Sequence, residues 1–136
     1  MNKRILVMDP DDLVRDSMQL FLEGMGCRVM TSGNADNALR CLSENEYDAL
    51  VCARDLPEMD GLGFIRQIRK LYPKMLRVLE CDDRSSMEFF REAKLAGAHE
   101  VIHKPYTATD VEKVVSSLNL KYWVMENGGK SAGRLL

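Results

Sequence analysis

The chain has 136 residues, of which 46% are hydrophobic and 29% charged, with a formal net charge of -2. That length suits one domain with one core, and the balanced charge argues against bulk nucleic-acid binding. Lys3-Arg4 precede only the short apolar run Ile5 to Met8, and nothing approaches the ~20 apolar residues of a membrane span. The expectation is a cytoplasmic protein without membrane or nucleic-acid partners.

Strand-like and helix-like stretches alternate along the chain. Arg4 to Met8 is a short apolar run bounded by Asp9-Pro10, which suits a buried strand. From Asp11 to Met25, apolar residues recur at helical spacing through Leu13, Val14, Met18, Phe21, Leu22 and Met25. Cys27 to Thr31 predicts a second, more exposed strand, and Asn34 to Glu44 a second helix. Ala49 to Cys52 is a third strand and Leu62 to Leu71 a third helix. Leu76 to Cys81 and Ser85 to Ala96 repeat the pair. Glu100 to His103 is a fifth strand, and Thr107 to about Val124 a last helix capped by Thr107 or Thr109. Repeated βα units of this length predict a doubly wound α/β fold, with a parallel sheet covered by helices on both faces. Residues 1–124 form the domain in this reading, and the Gly-rich residues 125–136 a flexible tail or linker.

Cys27, Cys41, Cys52 and Cys81 include no Cys-x-x-Cys pair, and three of the four lie in strand-like runs. They are expected to be reduced thiols. His99 and His103 are four apart on a strand and share a face, but no third metal ligand accompanies them.

The stretch from Tyr47 to Gly61 carries the most information. An apolar strand runs into Ala53, and Pro57, Met59, Asp60 and Gly61 follow at fixed spacing. With Asp9 after the first strand and Lys104-Pro105 after the fifth, the chain from about residue 3 to 120 resembles a response-regulator receiver domain. The resemblance implies a flavodoxin-like (βα)5 fold with strand order 2-1-3-4-5. It also implies a signalling module that accepts a phosphoryl group from a histidine kinase on an aspartate at position 53.

This chain departs from that pattern where the chemistry would occur. Alanine has no oxygen to attack a phosphoryl group. Asp9 matches the first of two paired acids, but Pro10 stands at the second, which commonly binds Mg²⁺. Asp11 is a displaced candidate, and octahedral Mg²⁺ tolerates displacement poorly. The plainer reading of Asp11 and Asp12 is acids at a helix N-terminus. Asp55 is conceivable as a substitute acceptor, although an exposed loop acid is the simpler account. Asp82 stands where the resemblance implies a Ser or Thr hydroxyl, and a slip of one or two residues would exchange it with Glu80 or Cys81. Glu80 is itself odd in an otherwise apolar strand. Val101 replaces an aromatic switch residue. Lys104 matches the lysine that pairs with the phosphorylated acid, and Lys104-Pro105 is a candidate cis peptide.

The reading is therefore a pseudo-receiver: a protein-interaction module with an acidic pocket of Asp9, Asp11 and Asp82, no resident metal, and weak or absent Mg²⁺ binding. Asp9 or Asp82 is expected to hold Lys104 in a permanent salt bridge. The expected partners are signalling proteins, a histidine kinase or an output domain, and a second copy joined through helix four, strand five and helix five. Phe90, Val101 and Tyr106 mark that face, with Trp123 nearby; one of Phe89 and Phe90 should be core. The alternatives are an anion- or nucleotide-binding crevice around Lys104 and Arg54, or the receiver part of a longer regulator phosphorylated at a substitute acid.

Overall fold

Three near-continuous apolar runs, each about five residues long, set the centre of the sheet. In the computed structural model they are β1 (Arg4–Met8), β3 (Ala49–Ala53) and β4 (Leu76–Cys81). β2 (Arg28–Ser32) and β5 (Glu100–His103) form the edges, and all neighbours pair in parallel in the order β2-β1-β3-β4-β5. Five helices complete the units: α1 (Asp12–Gly24), α2 (Ala35–Glu44), α3 (Gly61–Leu71), α4 (Met87–Ala96) and α5 (Ala108–Asn127). The structure describes residues 2–82 and 86–127, with side chains as far as residue 120. None of the described helices is long and apolar enough to cross a membrane.

Strand alternation divides the core in two. Leu6, Met8, Leu50, Cys52, Leu79 and Cys81 face one side, where Leu42, Phe64, Ile65, Ile68 and Phe89 from α2, α3 and α4 cover them. Ile5, Val7, Ala49, Val51, Val78 and Ile102 face the other, under Met18 and Leu22 of α1 and Val111, Val114 and Leu118 of α5. The period-2 alternation matters for the site, because it assigns each residue at a strand end to one face.

The helix starts are capped by short polar side chains. Asp11 accepts from the backbone N–H groups of Leu13 and Val14, and Asn34, Asp60 and Ser86 cap α2, α3 and α4 in the same manner. α5 begins with a reciprocal pair: the Thr107 hydroxyl accepts from the Asp110 N–H at 3.4 Å, and the Asp110 carboxylate accepts from the Thr107 N–H at 2.8 Å. Helix four starts at Met87 behind Ser86; the expected first residue, Ser85, lies outside the described residues. α5 runs to Asn127, past the expected Val124, so the expected tail begins inside a helix and its remainder, 128–136, lies outside the described residues. Trp123 falls where side chains are not described.

At the amino end of the sheet, Arg77 is only 5% exposed, yet its guanidinium meets no carboxylate among the described residues. Carbonyls take that place: Nε donates to Gly97 at 2.6 Å, and Nη1 to Met75 at 3.0 Å and Pro73 at 3.3 Å. The Arg77 backbone N–H donates to His99 Nδ1 at 2.9 Å. Burial lowers the Arg77 pKa, and Arg69 adds to the effect. His99 is thus a structural acceptor, and the described residues hold no cluster suited to a metal ion.

Gly61 is required for steric reasons. Its N–H donates to the Arg54 carbonyl at 2.7 Å, and a Cβ there would stand 2.2 Å from the Ala53 oxygen and 2.7 Å from Arg54 Cα. Both are backbone atoms of the β3–α3 connection, so neither can swing aside. Gly61→Ala is expected to destabilise the protein by roughly 2–4 kcal/mol, the range of forced backbone rearrangements, read as a lower urea midpoint. A midpoint within error of the parent would show that this turn is not constrained.

Candidate functional site

The carboxyl ends of parallel strands are where such sheets bind ligands, because loops there converge from both faces. Asp9, Ala53, Glu80 and Lys104 continue the alternation of Ile5–Val7, Ala49–Val51, Val78 and Ile102, so all four lie on the α1/α5 face. Asp9 follows β1, Ala53 and Glu80 are register partners on β3 and β4, and Lys104 follows β5.

Lys104 reaches over the sheet to Asp9. Its Nζ donates to Asp9 Oδ2 at 2.6 Å, while Asp9 Oδ1 accepts from the Asp11 N–H at 2.8 Å. The Asp9 side chain is only 1% exposed and the Lys104 side chain 29%, so this is a part-buried, charge-assisted pair. Burial opposes the charge on Lys104, but the bond to Asp9 and the fields of Glu80 and Asp9 outweigh it and raise the lysine pKa. Between the two partners stands Ala53, whose side chain is a single methyl group, 1% exposed.

Glu80 completes the pocket and was not among the site residues expected from the sequence. It is wholly buried, and neither carboxyl oxygen meets a hydrogen-bond donor among the described residues. Its pKa is pushed up to about 8: by burial first, then by the Asp9 charge, with Lys104 pulling the other way and Asp9 further favouring the proton as a nearby acceptor. Glu80 is therefore predominantly protonated at neutral pH. The signal in the sequence was a lone acid in an apolar strand.

Of the three acids expected in the pocket, only Asp9 enters it. Asp11 is exposed and turns to the α1 N-terminus, accepting from Leu13 at 2.9 Å, because an uncapped helix start competes for its oxygen. Asp82 turns outward toward Arg54, with Oδ2 3.5 Å from Nη2 and its side chain 52% exposed. Arg54 also meets Asp55 at 3.4 Å and lies 5.1 Å over the Phe89 ring. Among the described residues, the crevice cations Lys104 and Arg54 are thus both engaged by acids of the chain itself.

The expected interaction face divides similarly. Phe89 is core, and the Phe90 ring stands edge-on to His103, with centroids 5.4 Å apart. Val101 is half-buried against the α2–α4 side. Tyr106 turns inward: its hydroxyl donates to the Val14 carbonyl at 2.8 Å and its ring meets Phe21 edge-on. The Lys104–Pro105 peptide is cis.

A Mg²⁺ ion, which this fold family implies, does not fit these donors. Pro10 and Ala53 have no side-chain oxygen, the Asp9 carboxylate already accepts from Lys104 and Asp11, and Glu80 is buried beside an ammonium group.

The chain belongs to the response regulator receiver domain family, whose profile matches residues 5–116. Members of the family are signalling modules. The chain is 29% identical over 120 residues to the sensory/regulatory protein RpfC of Xanthomonas campestris pv. campestris, covering 85% of this chain and 16% of that one. It superimposes on a CheY-like receiver domain protein from Methanospirillum hungatei with a TM-score of 0.82 at 28% identity, covering 90% of this chain and 98% of the other. It also superimposes on NtrX from Brucella abortus, solved with ADP, with a TM-score of 0.85 at 25% identity, covering 94% of this chain and 30% of that one. It spans less than half the length of RpfC and of the transcriptional regulators NtrC and SrrA that it also matches.

The raised pKa of Glu80 sets a pH dependence. The folded chain holds a proton that the unfolded chain releases near the ordinary carboxyl value, roughly pH 4.3. From there up to about 8 the unfolded state binds fewer protons, so native stability falls with rising pH, by on the order of 1 kcal/mol per unit, and this contribution levels off above it. Glu80→Gln retains the shape without the titrating proton. Urea unfolding from about pH 5 to about pH 9 should show a shallower decline in this variant and higher stability at the alkaline end. Parallel curves for the two proteins would mean that Glu80 titrates normally.

Proposed function

We propose that this receiver domain works as a pseudo-receiver, a protein-interaction module that signals without phosphorylation at position 53 and without resident Mg²⁺. One observation carries the reading: the Lys104 ammonium, which the family uses to meet a phosphorylated acid, already lies 2.6 Å from the Asp9 carboxylate above an alanine. Phosphoryl transfer proceeds by positioning and charge neutralisation, through metal ions and cations. In this pocket a methyl group stands where the nucleophile would be, and the lysine is committed to an internal acid. Asp55, the candidate for a substitute acceptor, sits with Arg54 at the surface.

The domain is not an enzyme in this reading. Its partners are signalling proteins, a histidine kinase or an output domain, and a second copy of the chain met through α4, β5 and α5. An anion- or nucleotide-binding role is disfavoured because the groove beside Arg54 is lined by Asp55, Glu58, Asp60 and Glu92. A second reading, the receiver part of a longer regulator, is favoured by the length of the relatives: the match covers 48% of SrrA and 23% of NtrC.

Amide NMR titration with Mg²⁺ and then beryllofluoride tests the proposal. Resonances of Asp9, Ala53 and Lys104 should stay unmoved at millimolar Mg²⁺ and after beryllofluoride. Saturable shifts confined to these residues would overturn the reading. The dimer face has its own test. Phe90→Ala should weaken self-association about tenfold by sedimentation, the effect of losing one aromatic anchor worth ~1.4 kcal/mol. An unchanged association constant removes α4 from the interface.

A further inference from the structure

Glu80 is wholly buried, and neither carboxyl oxygen meets a hydrogen-bond donor among the described residues. Its neighbours along the same face of the sheet, Val78 and Ile102, are apolar, and a methionine or leucine would fill such a position without desolvating a carboxyl. Packing therefore gives no reason for an acid here. The adjoining strand offers one: residue 80 is the register partner of residue 53, and registered residues of parallel strands project from the same face.

We infer that Glu80 supplies from β4 the buried acid that residue 53 does not supply from β3, so that positions 53 and 80 form one exchangeable acid-bearing pair serving Lys104. The inference rests on the pseudo-receiver reading, since it concerns a pocket whose acid is not an acceptor. Two acids at both positions would place carboxyls on adjacent strands within reach of Asp9, and like charges sharing a site cannot readily all ionise. The pocket therefore tolerates Asp9 and one further acid. The groups that act on Glu80 are Asp9 after β1 and Lys104 after β5; Cys52 on β3 and Tyr106 beyond Lys104 feel its charge in turn. Glu80 is thus a positioning residue, whose carboxyl supports the charge of the lysine ammonium once it is ionised.

A double-mutant cycle in the full chain tests this. Ala53→Asp should lower the urea midpoint strongly in the parent, and much less when Glu80→Met is also present. Equal effects of Ala53→Asp in the two backgrounds overturn the inference, as does a double variant no better folded than Ala53→Asp alone. A second readout separates positioning from packing. The Lys104 pKa, followed by the ¹³Cε shift, should fall in Glu80→Gln and recover in Ala53→Asp/Glu80→Gln, which restores the acid on β3. A lysine pKa indifferent to both substitutions overturns the inference. Wild-type shifts with Mg²⁺ and beryllofluoride would defeat the pseudo-receiver reading itself, whereas a silent wild type with additive variants defeats the acid exchange alone.

Discussion

The organisation of the strand ends depends on a half-buried lysine needing a counter-charge. An ammonium group removed from water costs several kcal/mol unless it is paired and hydrogen-bonded. Lys104 meets that requirement by stretching across the sheet to Asp9. The pair joins the end of β1 to the end of β5 over Ala53, and Glu80 lies beside it with its proton retained. Among the described residues, a single negative charge balances a single positive one, and Asp11 and Asp82 face outward.

Much of the fold was legible in the sequence because period-2 and period-3.6 patterns are local properties. β1, β4 and β5 begin and end where the sequence pattern places them, and Thr107 caps its helix as expected. The parts that eluded sequence reading are directional. Asp11 and Asp82 were read as pocket acids from their places at strand ends, but direction is decided by competition. The amides at the start of α1 hold Asp11, and the Arg54 guanidinium draws Asp82 to the surface. Whether Lys104 would meet Asp9 or Asp82 was open for the same reason. Glu80 was visible as an anomaly, but its meaning required the register with Ala53, a relation between residues far apart in the chain.

The substitutions are best understood together. Removing an acid from position 53 alone would leave an unfilled polar pocket beside a lysine. Placing an acid at position 80 alone would crowd three carboxyls. With Ala53 and Glu80 together, the pocket has a consistent charge balance, although the Glu80 carboxyl meets no hydrogen-bond donor among the described residues. The proton on Glu80 lessens the cost of burying that carboxyl.

Arg77 gives this arrangement a fixed frame. Its carbonyl cage clasps the start of β4 to the turn before β5 and to the turn after α3. Sliding β4 by even one residue would uproot the guanidinium from its cage and invert every side chain on the strand. The choice of which residue, Glu80, Cys81 or Asp82, looks into the pocket is therefore anchored at the opposite end of the sheet. A rearrangement in response to a partner would have to bend or twist the last residues of β4 in place, with the strand as a whole held as on a pivot.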